Sequence, residues 1–177
     1  MSIKFPAVWS YVMRSSRSLA ILGLALLIAI GGVTPAQAAT SSKNANGQTL
    51  TVNKARNLNP SGQTITVRGK NFDPRVGIYV ALCVIPPKGQ QPTPCGGGVD
   101  MDGSSSASAW VSSNPPPYGE AIAIPYGKNG SFTARIRMSS MIGDIDCRTT
   151  RCAVVSRADH LRSNDRSFDV FVPVSFR

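Results

Sequence analysis

Short segments in which apolar and polar residues alternate recur along this 177-residue chain, and they constrain its fold more than any other feature. Ile65 and Val67 alternate with threonine and arginine, and the stretches from Phe132 to Met138 and from Phe168 to Phe176 follow the same rule. A period of two residues is that of a strand with one buried face. About seven such segments, with turn residues between them and no credible amphipathic helix, predict an all-β, immunoglobulin-like, seven-stranded antiparallel β-sandwich. Pro173 cannot donate a ladder hydrogen bond, so the last strand is predicted to lie at a sheet edge.

The segment from Gly77 to Ile85 departs from this rule because both of its faces are apolar. A strand of this kind is covered on both sides, or it lines a cleft with one of them. One face would carry Ile78, Val80, Leu82 and Val84, and the other Tyr79, Ala81, Cys83 and Ile85.

The N-terminus has the three-part order of a secretory signal peptide. Lys4, Arg14 and Arg17 precede an apolar run over residues 19–33, and Ala36-Gln37-Ala38 follows as a cleavage signature. The alternative is a membrane anchor, but a run of roughly 15 residues is short for the ~20 that a spanning helix needs. We therefore predict a signal peptide over residues 1–38, cleaved near Ala38 or Ala39, and a protein that is extracellular or associated with the cell envelope.

The mature chain is predicted to have a flexible tail over residues 39–47 and one domain over residues 48–177. Without the three basic residues of the signal peptide it has 16 Lys and Arg against 9 Asp and Glu, a net charge of +7. The basic residues form no run. Their excess fits simple solubility, and it also fits an anionic envelope polymer or an acidic ligand. It makes no strong case for direct nucleic-acid binding, and we expect a monomer.

Four cysteines follow the signal peptide, and an even number in an exported protein indicates two disulfides. Three pairings are open. The simplest is local, Cys83 with Cys95 and Cys147 with Cys152, because each bond would close a hairpin-like loop. A zinc site is the weaker alternative, since the spacings do not form two matched close pairs.

Six motifs occur along the chain in the same order as in a known family. They are Gly62-Gln63-Thr64-Ile65-Thr66-Val67-x-Gly69, Phe72-Asp73-Pro74, Tyr79-Val80-Ala81-x-Cys83, Asn129-Gly130-Ser131, Asp146-Cys147-x-Thr149-x-x-Cys152 and Val174-Ser175-Phe176. With them the chain resembles the neocarzinostatin family. The resemblance implies a seven-stranded sandwich with a side cleft, the two local disulfides, and non-enzymatic carriage of a small apolar molecule, in the best-known members an antibiotic chromophore that cleaves DNA. Antimicrobial and DNA-binding associations therefore apply only at the level of the family.

The chain also departs from that family. It carries an irregular insertion over about residues 96–128, on the scale of a long functional loop, and it is short between Met138 and Asp146, where carriers have an aromatic-bearing cleft wall. Leu82 and Ile85 replace a glutamine and an aromatic residue of the carriers. The insertion resembles modules of bacterial envelope proteins, some of which also contain haem-transport-associated modules. The alternative function is therefore a structural or interaction protein of the envelope, with a possible association with haem uptake.

If a cleft exists, the uncovered face of the strand from Gly77 to Ile85 is its floor and the insertion its cover. We expect at least one of the three aromatic residues of the insertion to pack against Tyr79 or Ile85. A cavity between them would favour a carrier, whereas a filled contact would favour a structural role in which the aromatics pin the loop. The candidate cleft residues are Tyr79, Ile85, Trp110, Tyr118, Tyr126 and Ser156.

No motif in the sequence supports catalysis or a cofactor. His160, the only histidine, fits a haem ligand, a general base or a pH switch, but a lone histidine in a polar loop is more often plain surface. Residues 100–105 space oxygen-bearing side chains as in a calcium loop, yet they lack its closing glutamate. We therefore predict a non-enzymatic protein without a metal.

Overall fold

The computed structural model describes residues 38–97 and 104–177, and the regular structure of these residues is almost entirely strand. The predicted signal peptide thus lies outside the described residues except for Ala38. Four short 3₁₀ helices cover Pro117–Gly119, Lys128–Gly130, His160–Arg162 and Arg166–Phe168. The strands of the described ranges are β1 (Thr40–Lys43), β2 (Thr49–Val52), β3 (Gln63–Lys70), β4 (Ile78–Val84), β5 (Ser108–Val111), β6 (Phe132–Met138), β7 (Met141–Ile142), β8 (Ile145–Asp146), β9 (Cys152–Ala158) and β10 (Val170–Pro173).

The strands form two four-stranded sheets and a small ribbon, and all their pairings are antiparallel. The first sheet has the order β1-β2-β3-β6, the second has the order β10-β9-β4-β5, and β7 pairs with β8. The predicted all-β antiparallel sandwich is confirmed. Pro173 lies in the edge strand β10, where its missing N–H interrupts no ladder.

The core lies between the two sheets and is built from the inward-facing residues of both. In β3 and β6 every second residue is buried, as the alternation predicted. Each large apolar side chain removed from water contributes roughly 1.5–3 kcal/mol, which makes this layer the main source of stability. Its fully buried members include Leu50, Val52, Ile65, Val67 and Ile136 from the first sheet, and Ile78, Val80, Leu82, Val154 and Val172 from the second.

Two segments are more regular than the sequence predicted. Residues 39–47, expected to be a flexible tail, include β1, which pairs with β2 along its whole length. Residues 96–128, expected to be irregular, include β5, which pairs with the free edge of β4 and buries Val111 completely. In both cases the strand forms because its backbone pairs with the edge of a neighbouring strand. Such pairing leaves little alternation of apolar and polar side chains in the sequence.

Both disulfides join the cysteines that are close in sequence. The Sγ atoms are 2.00 Å apart in Cys83–Cys95 and 2.01 Å apart in Cys147–Cys152. The local pairing is thus the one the structure contains, and two disulfides suit an oxidising compartment outside the cytoplasm. No helix in the described ranges is long and apolar enough to cross a membrane.

Candidate ligand-binding surface

The outer face of the second sheet, which the sequence marked as a cleft floor, is closed over most of its area. Ala81 and Cys83 of β4 lie beside Ala153 and Val155 of β9, and all four are at most 5% exposed. Ile85, Cys95 and Phe171 pack against them. The loop over residues 86–95 also approaches this face, because Arg157 Nη1 donates to the Pro92 carbonyl at 3.1 Å and Pro92 is buried. The apolar side of β4 is therefore covered by a loop that precedes the insertion.

The remaining end of this face carries a cluster of four rings, Tyr79, Trp110, Tyr118 and His160, which we call the aromatic cluster. Tyr79 of β4 and Trp110 of β5 are cross-strand partners, and their ring centroids are 6.1 Å apart. One aromatic residue of the insertion thus packs against Tyr79, as expected. Trp110 is only 7% exposed, so this contact is filled.

A buried carboxylate fixes the indole of Trp110. Asp159 is 1% exposed, and its Oδ2 accepts a hydrogen bond from Trp110 Nε1 at 3.1 Å. Its Oδ1 accepts from the Leu161 N–H at 3.0 Å and so caps the 3₁₀ helix that carries His160. A Cβ on Gly77 would lie 2.0 Å from Oδ2, so this arrangement requires a glycine there. One side chain therefore orients both Trp110 and the segment that presents His160.

Two tyrosine hydroxyls hold the imidazole of His160. Tyr79 Oη lies 2.6 Å from Nδ1, and Tyr118 Oη lies 2.9 Å from Nε2. A neutral imidazole has one donor and one acceptor nitrogen, so the two hydroxyls satisfy the ring completely. The ring also meets Trp110 edge-on at a centroid distance of 5.5 Å. His160 is exposed, as the sequence indicated, and its ring also joins two tyrosines.

Tyr118 forms the outer layer of the cluster. Its ring stacks on Trp110 at a centroid distance of 6.2 Å and an interplanar angle of 23°, and it remains 54% exposed. A Cβ on the next residue, Gly119, would lie 2.1 Å from Trp110 Cζ3, so glycine permits this close approach. Burial raises the pKa of Tyr79, and the nearby Asp159 and Tyr118 raise it further, which keeps the Tyr79 hydroxyl protonated at neutral pH. The cluster therefore presents an exposed ring whose hydroxyl is held by a hydrogen bond to His160.

A charged group borders the aromatic cluster on the side of β9. Arg157 is the cross-strand neighbour of Tyr79, and burial followed by repulsion from Arg166 lowers its pKa. Asp169 forms an ion pair with Arg166 at 3.1 Å, with only 7% of its side chain exposed. Burial raises the pKa of Asp169 to about 6, against the opposing effect of the two arginines. Among the described residues, Arg157 Nε, Arg166 Nε and Asp169 Oδ1 are buried without a hydrogen-bond partner.

Two of the six predicted cleft residues do not lie on this face. Tyr126 packs edge-on against Phe132 at 6.1 Å and donates to the Val76 carbonyl at 3.0 Å, so it belongs to the core. Ser156 is fully buried between the sheets, and its Oγ donates to the Phe168 carbonyl at 2.9 Å. Ser156 follows an outward-facing valine in β9, so the two-residue period turns it inward.

The structure brings together Tyr79, Trp110 and Tyr118, and it places Ile85 among the apolar residues at the other end of the face. Sequence reasoning missed the role of Asp159, although its position directly before the only histidine was visible. In the described ranges, no group of three or more His, Cys, Asp or Glu side chains is placed to hold a metal ion. The candidate calcium loop falls largely on residues 98–103, which lie outside the described part.

Comparisons with known proteins give one likeness of fold. No protein-family model matches the chain, and no curated protein matches it in sequence. A solved structure titled macromomycin aligns with 74% of this chain and 100% of its own, at 18% identity and a TM-score of 0.45. This likeness is too distant to inform function, and membership of the neocarzinostatin family stays a prediction.

Proposed function

We propose that this protein is a secreted, non-enzymatic binding module that holds a small, planar, largely apolar ligand against its aromatic cluster. The ligand would lie on the exposed ring of Tyr118, where the sandwich and the insertion meet. The observation that carries the proposal is the fixed geometry of that ring, which rests on a buried indole and hydrogen-bonds to His160.

The geometry suits binding because the cluster is ordered before any ligand arrives. Tyr118 is held by stacking on Trp110 and by its hydrogen bond to His160, while Trp110 is held by Asp159. A ligand that stacks on a ring already fixed in place loses less conformational entropy than one that must order it. Aromatic rings with a polar end are well suited to such contacts.

The same contacts hold the polar groups of the cluster in place. Both nitrogens of His160 meet tyrosine hydroxyls, and both oxygens of Asp159 accept hydrogen bonds from Trp110 and Leu161. Because these side chains are fixed by one another, a ligand can bind without ordering them first.

The proposal can be tested with a neutral planar fluorophore, N-phenylnaphthylamine, because Trp110 is the only tryptophan beyond the predicted signal peptide and reports on the cluster. We expect the probe to quench Trp110 emission, and Tyr118→Ala to weaken binding about tenfold, the loss of one stacking contact. Met141→Ala is the matched control, since Met141 is also an exposed apolar side chain but lies in β7. Equal binding by Tyr118→Ala and the parent protein would refute the proposed site.

Mass spectrometry of protein purified natively from its producer would identify a ligand that co-purifies.

A structural or interaction role in the cell envelope is the second candidate, and the closed outer face favours it. Trp110 is nearly buried and fills its contact with Tyr79, so the aromatics also serve to fix the insertion onto the sandwich. For a link to haem uptake, His160 would have to exchange a tyrosine hydroxyl for iron. No haem absorbance band on titration with haemin would remove that link.

A further inference from the structure

The outer face of the first sheet differs from every other surface described above because cations and hydroxyls alternate on it. The register of β3 and β6 sets Thr66 opposite Arg135, Thr64 opposite Arg137, and Arg68 opposite Thr133. Each of these arginines therefore lies directly opposite a threonine. Its nearest cations lie two residues away on the same strand or diagonally across on the neighbouring strand. Direct opposition of like charges, which destabilises a sheet, is avoided.

The pattern continues across the whole sheet. Lys70 of β3 pairs with Thr49 of β2, which pairs in turn with Lys43 of β1. The five cations are exposed, and we call this surface the basic face. They are Lys43, Arg68, Lys70, Arg135 and Arg137.

No acidic residue occurs in β1, β2, β3 or β6. The ion pairs that join described residues are Arg75–Asp73, Arg148–Asp146 and Arg166–Asp169, and none of them includes a cation of the basic face. Five like charges on one sheet repel one another, and threonine is a better strand former than lysine or arginine. The stability of the fold therefore does not explain why five cations occupy this face.

An open groove of about 340 Å³ borders the basic face at one end. Arg68 and Lys70 line one side of it, and Pro125, Phe132 and Thr133 contribute to the rest. A chain lying on the sheet has a recess here into which a substituent or an end can enter.

We propose that the basic face binds a linear polyol or glycan chain that carries an oxyanion at regular intervals. Cations two residues apart on a strand, such as Arg135 and Arg137, are spaced by about 7 Å. A chain with an anion on each short repeat can meet them in succession, while the intervening threonines hydrogen-bond its hydroxyls. The inference is independent of the aromatic cluster, which lies on the other sheet.

The shape and composition of the face favour such a chain over a nucleic acid. The outward positions of the first sheet carry no aromatic ring on which a base can stack. Four strands spaced by about 4.8 Å form a surface roughly 14 Å across or wider, which does not enter a major groove about 12 Å wide. The face therefore lacks the features that proteins use to recognise nucleic-acid bases.

The test uses the purified, disulfide-bonded protein and four labelled probes: a heparin oligosaccharide, inorganic polyphosphate, mixed-sequence single-stranded DNA and neutral dextran. We expect binding to heparin, with log affinity falling as log salt concentration rises, and no binding to dextran. Polyphosphate carries anions without hydroxyls, so its affinity shows how much of the binding comes from charge alone. The variant R68T/R135T/R137T should lower affinity at least about 30-fold at low salt and reduce the salt slope by about 2–3.

The matched control is K88T/R151T/R162T, which removes the same charge from exposed positions outside the first sheet. We expect this control variant to bind heparin within about twofold of the parent protein. That result would show that affinity depends on the basic face and not on net charge alone. Three results would overturn the proposal: equal losses in both triple variants, tighter binding to DNA than to heparin, or no binding to heparin at low salt, whatever the affinity for polyphosphate. Unchanged circular dichroism in both variants excludes loss of fold as the cause.

Discussion

The outer faces of the two sheets have opposite characters. The face of the second sheet is closed, with Ala153 and Val155 fully buried beneath other residues and a ring cluster at one end. The face of the first sheet is open, and its outward positions alternate between hydroxyls and cations such as Arg68 and Arg135. The same strand geometry underlies both, so the difference comes from the side chains and from what covers them.

This difference separates positions that serve stability from positions that are free to serve binding. A buried apolar residue on the closed face stabilises the fold through burial. Its presence is therefore explained by folding and does not indicate a binding partner. An exposed arginine on the open face contributes little to folding, because surface positions are usually neutral within about 0.5 kcal/mol. The open face therefore gives the cleaner indication of an interaction.

The largest effect that tests this contrast is expected at Val155. Val155→Asp places a charge in a fully buried apolar site, and we expect a loss of about 3–5 kcal/mol in the free energy of unfolding. Thr66→Asp is the counterpart on the open face, directly opposite Arg135, and should stay within about 0.5 kcal/mol. Denaturant unfolding with the disulfides intact measures both. Similar losses in the two variants would mean that the open face is as important for stability as the closed one.

The second effect concerns the buried charges that border the closed face. Asp169 has a native pKa of about 6 against an ordinary 3.8, so the native state holds its proton more firmly than the unfolded state. Stability from this group is fully present below about pH 4 and is lost as pH rises through 6, by up to about 3 kcal/mol for two pKa units. Asp169→Asn should flatten that part of the pH–stability curve.

The control for this prediction is Asp165→Asn. Hydrogen bonds from Ser167 lower the pKa of Asp165, so its contribution disappears only as pH falls below about 4. The groups nearest to Asp169 are Arg166, Arg157 and Asp165 itself, and the first two oppose the rise. A slope between pH 4 and 6 that persists in Asp169→Asn would show that Asp169 is ionised throughout this range.

The alternation along the chain was enough to predict the sandwich, because a period of two residues directly records which side of a strand is buried. Ile65, Val67 and Ile136 lie in the core as predicted. The same rule did not reveal β1, whose backbone pairs with β2 although its side chains do not alternate in hydrophobicity. It also did not reveal that the loop over residues 86–95 covers β4, because the position of a loop depends on tertiary contacts.

The candidate site was predictable only in part, for a related reason. Pairing β5 with β4 sets Trp110 beside Tyr79, and the sequence marked both residues as apolar groups in need of a partner. The hydrogen bonds of His160 join residues 42 and 81 positions apart, and no local pattern encodes them. Tyr126 was misplaced because its aromatic character fits the core as well as it fits a cleft.

The smallest effect tests whether His160 belongs to the closed face or to the surrounding solvent-exposed loop. Its two hydrogen bonds are exposed, which places each at the low end of the roughly 0.5–1.5 kcal/mol that a typical one contributes. We therefore expect His160→Ala to lower the free energy of unfolding by about 1 kcal/mol, beyond the usual range for a surface residue. Arg162→Ala, on the same 3₁₀ helix, should stay within about 0.5 kcal/mol. Loss of the imidazole also frees the Tyr118 hydroxyl, so solvent should reach Trp110 more easily and shift its emission to longer wavelength. If stability and emission both remain at parent values, Tyr79 and Tyr118 are held by stacking alone, and His160 is the plain surface residue that the sequence first indicated.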